Sequence, residues 1–219
     1  MEHRFSVVIL AAGASARLGR PKQLLPYLGK TLIEHAARTA LASGAHEVIV
    51  VVGSEAERVA EKLHGLSVRI VRNRDWQEGL SSSIRAGVGA VSSAADCVVI
   101  ALGDQPRITP DLLRGLATRH RESGNPIVAS SYDGVLGVPC AFGRSQFAAL
   151  SELSGEQGAR ELIRRASIPA ESVAFSGGNV DIDTPEDYRR LVQEDAPKAP
   201  EKPPCDSRDA RAPPLERTH

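Results

Sequence analysis

Sulfur chemistry and transition metals find little to work with in this chain. Its 219 residues hold three cysteines, Cys97, Cys140 and Cys205, far apart and without a C-x-x-C pair. That leaves neither a disulfide framework nor a zinc knuckle. The six histidines (His3, His35, His46, His64, His120, His219) never fall at metal-ligand spacing, so a metal, if used, falls to carboxylates. Net charge is absent as well: 27 basic and 27 acidic side chains cancel. A dedicated nucleic-acid binder is usually basic overall. The longest apolar runs, Val48 to Val52 and Cys97 to Leu102, are far too short for a bilayer, which needs about 20 residues per helix. Met1-Glu-His-Arg4 leads into a strand-like run that breaks at Gly13, not into a secretory apolar core. A cytoplasmic protein with no nucleic-acid or membrane partner is the expectation.

Aromatic residues are scarce and unevenly placed. All eight lie at or before Tyr188, whereas six of the 14 prolines fall between Pro197 and Pro214. A stretch of proline and charge buries too little apolar surface to offset its ordering entropy. The expected organisation is one domain over residues 1–194 and a disordered tail over 195–219.

Within the domain, Val/Ile/Leu runs alternate with amphipathic segments. Strands are predicted at Phe5–Ala11, Glu47–Val52, Val68–Val71 and Cys97–Leu102, with weaker ones at Ile127–Ser130, Cys140–Phe142, Val173–Phe175 and Val180–Ile182. Helices are predicted at Thr31–Ser43 (Thr31 as cap, Gly44 as stop), Glu55–Leu63, Ser81–Val91, from Pro110, at Ser145–Leu150 and Glu156–Arg165, and from Thr184. Continuous apolar strands between helices imply an α/β fold with a mostly parallel sheet covered on both faces. Ligands of such sheets sit beyond the carboxyl ends of the strands, so the polar residues that follow strands carry the functional reading.

After the first strand comes Leu10-Ala-Ala-Gly13-Ala-Ser-Ala-Arg17-Leu-Gly19-Arg20-Pro-Lys22; Ala11 to Ile33 contains four cations (Arg17, Arg20, Lys22, Lys30) and no acid. Small residues let backbone N–H groups approach an anion, and clustered cations fit a polyphosphate; a solvated basic loop is the plain alternative. The stretch has neither G-x-G-x-x-G nor the GK[ST] ending of an ATPase loop. Glu34 has about the spacing of a ribose-binding acid but precedes the second strand, which strains a dinucleotide reading. Two carboxylates follow strands elsewhere: Asp104 in Leu102-Gly-Asp-Gln-Pro106, and Asp183 in Asp181-Ile-Asp-Thr-Pro185. Oxygen ligands of this kind suit Mg²⁺. Asp104 as a turn residue and Asp183 as a helix cap are the alternatives. In Asn73-Arg-Asp-Trp76-Gln-Glu-Gly79-Leu-Ser-Ser-Ser83, the glycine and serines could serve a nucleotide or an ordinary cap, and Trp76 packing or stacking.

Taken together, Leu-Ala-Ala-Gly-x-Ser-x-Arg-x-Gly-x-x-Lys, Asn-x-x-Trp-x-x-Gly-Leu-Ser-x-Ser, Gly-Asp-Gln-Pro, Gly137-Val-Pro139 and Asp-Ile-Asp-Thr-Pro-Glu-Asp resemble the MobA-like nucleotidyltransferases, in order from Val7 to about Leu191. Within them the chain looks most like the molybdenum cofactor cytidylyltransferases, because Ala11-Ala12-Gly13 resembles the cytidylyl branch where the guanylyl branch usually carries Ala-Gly-Gly. The resemblance implies a three-layer Rossmann-like nucleotidyltransferase fold. It implies that Ala11, Ala12 and Gly13 line the nucleotide, that Arg17 and Lys22 hold the triphosphate, and that Gly79 and Ser83 lie at base or ribose. Asp104 and Asp183 would hold Mg²⁺, with Arg17, Lys22 and Asp104 as catalytic groups, Asp104 also touching the nucleotide, and Gly137 and Pro139 on the acceptor side. The implied partners are CTP, with GTP as the other base, a molybdopterin-type phosphate acceptor, and an apo-molybdoenzyme of the xanthine dehydrogenase type. The implied reaction is transfer of CMP to the acceptor's terminal phosphate with release of pyrophosphate. Another base or acceptor (a sugar phosphate or phosphoalcohol), a non-catalytic cofactor carrier, and an NAD-type oxidoreductase are the competing readings.

Overall fold

Residues 4–178 and 182–195 are described in this computed structural model. β1 (Phe5–Ala11) runs into a loop with two 3-10 turns, Ala16–Leu18 and Lys22–Leu24, and a small hairpin, β2 (Pro26–Tyr27) and β3 (Lys30–Thr31). Then follow α1 (Leu32–Ala42), β4 (Glu47–Val52), α2 (Ala56–Lys62), β5 (Arg69–Arg72), a 3-10 turn (Trp76–Glu78), α3 (Leu80–Gly89), β6 (Cys97–Leu102) and α4 (Pro110–Ser123). The second half adds β7 (Ile127–Tyr132), β8 (Val135–Gly143), α5 (Phe147–Ser151), α6 (Ala159–Arg165), β9 (Glu171–Ala174) and α7 (Pro185–Glu194).

The main sheet has seven strands in the order β5-β4-β1-β6-β8-β7-β9. All pairings are parallel except those of β8, which runs antiparallel to both β6 and β7. The mostly parallel α/β sheet expected from the apolar runs is thus the fold observed. Alternate residues of each strand feed opposite faces, as a period of two requires. Val7, Ile9, Val48, Val50 and Val99 pack against α1, α2 and α4 through Ile33, Ala37, Val59, Leu113 and Leu116. Val8, Ile49, Val51, Val98 and Ile100 pack against Ile84 and Val88 of α3 and Leu150 of α5. Each fully buried Val, Leu or Ile contributes about 1.5–3 kcal/mol relative to exposure. A third cluster joins Leu18, Leu25, Tyr27 and Leu32 to Ile182 and Leu191, which fastens α7 over the loop that follows β1.

Several boundaries differ from the expectation, and that of β8 has a physical reason. β8 runs over Val135–Gly143 rather than Cys140–Phe142, and takes in Gly137 and Pro139, residues that normally break strands. The β7–β8 register shifts between Ala129, which faces Cys140, and Ser130, which faces Gly137. Val138 and Pro139 therefore bulge out of the ladder, where a missing N–H breaks no pairing; the Val138–Pro139 bond is cis. The β2–β3 hairpin turns at Leu28 and Gly29, both with positive φ, the backbone pattern of a tight hairpin. β5 and β9 each sit slightly off their expected ranges. Of the expected strand Val180–Ile182, Val180 and Asp181 lie outside the described residues, as does the expected tail apart from Asp195. Asp195 accepts from the Tyr27 hydroxyl (2.9 Å) and pairs with Arg107 (3.3 Å).

β1, β4 and β5 step outward on one side of the sheet, and the chain then returns to place β6 on the other side of β1. That reversal opens a crevice beyond the carboxyl ends of β1 and β6. α3 flanks it closely because Gly87 has no side chain: a Cβ there would lie 2.5 Å from Val8 Cγ1 and 3.0 Å from Val51 Cγ2. Alanine in place of a helical glycine usually stabilises, by about 1 kcal/mol. Here overpacking against two buried strands outweighs it, and Gly87→Ala is expected to destabilise by about 1–2 kcal/mol. Urea unfolding checks the sign, and an unchanged or raised midpoint would refute this account of the α3 packing.

Candidate active site

Three segments far apart in sequence meet in the crevice. Lys22 Nζ donates to Asp104 Oδ2 at 3.0 Å and to Asp183 Oδ1 at 2.7 Å, and Arg17 pairs with Asp183 Oδ2 at 3.0 Å. Lys22 and Asp104 are mostly covered, while Arg17 is open to solvent. Burial alone would lower the Lys22 ammonium; Asp104 and Asp183 outweigh it and hold the group above the usual 10.5. The hydrogen bond from Lys22 holds the Asp183 carboxyl below the usual 3.8, against the opposing effect of burial.

Local structure decides between the alternative readings of these acids. The α7 cap is Thr184, whose hydroxyl accepts from Asp187 N while Asp187 Oδ2 takes the Thr184 N–H at 2.9 Å. This capping box leaves the Asp183 carboxylate free to face Lys22. Glu34 forms the matching box with Thr31 at the start of α1 (Thr31 N to Glu34 Oε2, 2.9 Å), so its carboxylate serves a cap. Asp104 lies in the turn after β6, and that turn presents it to the ammonium.

The crevice encloses about 550 Å³ and is lined by Ala11, Ala12, Gly13, Arg17, Lys22, Gly79, Ser83, Asp104 and Asp183, with Ser15, Gln23, Trp76 and Glu156 among the others. All nine sequence-predicted nucleotide and metal residues therefore share one cavity. Gly79, at the N-terminus of α3, has φ +105°, and a Cβ on it would lie 2.5 Å from Gly155 O. Glycine alone permits that close passage of two backbones. Asn73 Nδ2 donates to Ser82 Oγ (2.8 Å) and Ser83 Oγ (3.1 Å), fixing both hydroxyls. Trp76 does two things, packing on the α3-side core and lining the crevice.

Gly137 and Pro139 do not line this crevice. Val138 between them lines an adjoining cavity of about 560 Å³, which shares Leu10, Leu80, Leu102 and Glu156 with the first and adds Ile84, Ile100, Gln105 and Arg160. Gly137 permits a contact instead: a Cβ there would lie 2.3 Å from the Tyr132 hydroxyl, which accepts from Arg160. Sequence reasoning passed over Gln23, Gln105, Glu156 and Arg160, because nothing in the local pattern distinguishes a polar residue that turns inward from one that faces water.

A loop of small residues with two cations, two carboxylates converging on one positive group, and a second cavity that shares a wall with the first together suit a phosphate-bearing ligand and a second substrate. A family model for the MobA-like NTP transferase domain matches residues 7–171. The chain belongs to the MobA-like NTP transferase family. It is thus a nucleotidyltransferase. Among MobA-like relatives, the nicotine blue oxidoreductase of Paenarthrobacter nicotinovorans is 39% identical, covering 84% of this chain and 95% of its own length. The purine catabolism protein PucB of Bacillus subtilis is 34% identical over 83% and 92%. The crystal structure of Rv0371c from Mycobacterium tuberculosis superposes with a TM-score of 0.80 at 32% identity, over 88% of this chain and 99% of that one. A manganese complex of Rv0371c superposes with a TM-score of 0.75 at 30% identity, over 87% and 98%. Among the described residues no helix is long and apolar enough to cross a membrane.

The ion pairs of this site should be visible in acid. Because Asp183 is held below 3.8, its pairing adds stability that is complete above the ordinary carboxylate range and is lost as the pH falls through its lower folded value. The difference in thermal midpoint between the natural chain and Asp183→Asn is expected to shrink on acidification from about pH 6 to about pH 3. Parallel curves over that range would contradict the pairing.

Proposed function

We propose that this protein is a cytidylyltransferase that transfers CMP from CTP to the terminal phosphate of molybdopterin with Mg²⁺ and releases pyrophosphate. The observation that carries the reading is the Lys22–Asp104–Asp183 cluster beneath the small-residue loop Ala11–Gly13, at the sheet's reversal point. The Ala-Ala-Gly form of that loop supports cytosine, and its resemblance to the cofactor branch supports molybdopterin. A cytoplasmic setting, with an apo-molybdoenzyme of the xanthine dehydrogenase type as the recipient of the product, belongs to the same reading.

The donor set fits a divalent cation. Asp104 and Asp183 offer only oxygens, and both reach a single cation, the Lys22 ammonium, at 3.0 and 2.7 Å, so their spacing suits a small positive ion between them. The manganese bound to Rv0371c supports a divalent metal in this family. Charge gives a second reason. Arg17 and Lys22 face three carboxylates, Asp104, Asp183 and Glu156, in the crevice lining, which gives a triphosphate no net attraction. Bound to Asp104 and Asp183, Mg²⁺ would neutralise phosphate charge and polarise the α-phosphate.

The chain's own groups then act by positioning and charge. Backbone groups of Ala11, Ala12 and Gly13, with Gly79 and Ser83, hold the nucleoside. Lys22 leaves the carboxylates for the phosphates, and Arg17 joins it in stabilising the pyrophosphate that departs. The acceptor, seated in the adjoining cavity beside Val138, directs a phosphate oxygen at the α-phosphorus; the new P–O bond forms as the bond to the β-phosphate breaks. A phosphate monoester is largely ionised at neutral pH, so no general base is needed, which matches a cleft without a histidine among its lining residues.

One relative's name supports a second reading, oxidation or reduction of nicotine blue. The loop after β1 lacks the G-x-G-x-x-G of a dinucleotide site, which weighs against it. A single panel separates the two: pyrophosphate release from CTP, GTP, UTP and ATP, each with and without molybdopterin and Mg²⁺, alongside NADH and NADPH oxidation with nicotine blue. Release from CTP only with molybdopterin is expected, falling by at least about a hundredfold in a folded Asp104→Ala variant. Release from GTP would overturn the base, and nicotinamide oxidation without pyrophosphate would overturn the reaction. Intact nucleotide binding without release would indicate a carrier or another acceptor.

A further inference from the structure

We propose that Gln23 is a positioning residue for the nucleotide, acting through the backbone of the loop after β1. The inference rests on the nucleotide reading of the crevice and assigns a role to a residue outside the cationic and carboxylate set. Gln23 follows Lys22 directly in a 3-10 turn and is only 6% exposed. Its Nε2 donates to two carbonyls of the loop, Ala11 O at 3.2 Å and Gly13 O at 2.9 Å. The carbonyl between them, Ala12 O, accepts from Ser54 N at 3.0 Å. Three successive carbonyls are thus tied to the protein body.

A trans peptide is rigid, and its C=O and N–H point in opposite directions. Holding the Ala11 and Gly13 carbonyls toward Gln23 turns the N–H groups of Ala12 and Ala14 away from it. Holding the Ala12 carbonyl toward Ser54 likewise turns the Gly13 N–H away from β4's end. A short row of aimed backbone donors is what an anionic or acceptor-rich ligand uses. The orientation of the Gln23 amide is itself decided by this arrangement, since the reverse flip would set its oxygen against two carbonyl oxygens.

Gln23 Oε1 is buried without a hydrogen-bond partner, one of two such side-chain atoms among the described residues. The other belongs to Gln105, which directly follows Asp104. Buried unpaired acceptors are rare and destabilising. An apolar side chain of the same length would remove the orphan oxygen and fill the same volume. That glutamine stands there is explained by what its NH₂ group holds.

The only tryptophan, Trp76, lines the same crevice and reports binding by its fluorescence. CTP with Mg²⁺ is titrated into the natural chain, Gln23→Met and Gln23→Glu; the KM values for CTP and molybdopterin and the thermal midpoint are measured in parallel. Gln23→Met is expected to keep its midpoint to within a few degrees while weakening CTP about tenfold and leaving the molybdopterin KM within about twofold, since two hydrogen bonds to the loop are lost. Gln23→Glu, which sets a carboxylate against the two carbonyls, is expected to weaken CTP by about a hundredfold. Whichever variant folds provides the comparison of the two KM values. Binding of CTP by Gln23→Met equal to that of the natural chain overturns the proposal, as does a joint rise of both KM values with a lowered midpoint, which marks a structural role only. If the natural chain binds none of CTP, GTP, UTP and ATP, the nucleotide reading falls and this proposal with it.

Discussion

The ammonium of Lys22, held between Asp104 and Asp183, is the contact on which the organisation of this molecule turns. Its partners are separated from it by 82 and 161 residues, so it ties together the loop after β1, the turn after β6 and the approach to α7. The sheet supplies the location, because β1 and β6 are neighbours only where the strand order reverses. Helix capping supplies the orientation, because Thr184 and Asp187 complete the start of α7 by themselves. One lysine between two acids is costly to desolvate unless the charges compensate one another; here they do, and Lys22 remains a cation.

Legibility from sequence followed the physics of each element. β1, β4 and β6 could be read from sequence, since strands buried on both faces are dominated by consecutive Val, Ile and Leu. Arg17, Lys22 and Asp104 could be picked out because they follow β1 and β6, and a parallel sheet sends such positions to one edge; Asp183 joins them from the approach to α7 rather than from a strand of the sheet. The direction and length of β8 could not be read. Gly137 and Pro139 signal a break, and only the pairing partner Ser130 shows that the ladder resumes on either side of a bulge. Gln23 was invisible for another reason. A glutamine between a lysine and two leucines has no periodicity, and its value depends on two carbonyls 12 and 10 residues away.

The same distinction separates what the MobA-like family shares from what this chain decides for itself. Membership accounts for the nucleoside triphosphate chemistry and the fold. On the proposed reading, the Ala11-Ala12-Gly13 loop bears on the base and the walls of the second cavity on the acceptor, and no local motif spells out those walls. Leu80, Ile84, Ile100 and Val138 make part of those walls apolar, while Gln105, Glu156, Gln157, Arg160 and Glu161 bring polar and charged groups to the rest.

Those walls have a further consequence. Leu10, Leu80, Leu102 and Glu156 line both cavities, so the two spaces share a wall. A product that joined a nucleoside monophosphate to a ligand of the second cavity would reach across that wall, having given up only the contacts of the departed pyrophosphate, and neither half could leave without the other. The tethered half keeps a high effective concentration at its own subsite. A product spanning both cavities would therefore be held at two places at once and would leave more slowly than either half alone.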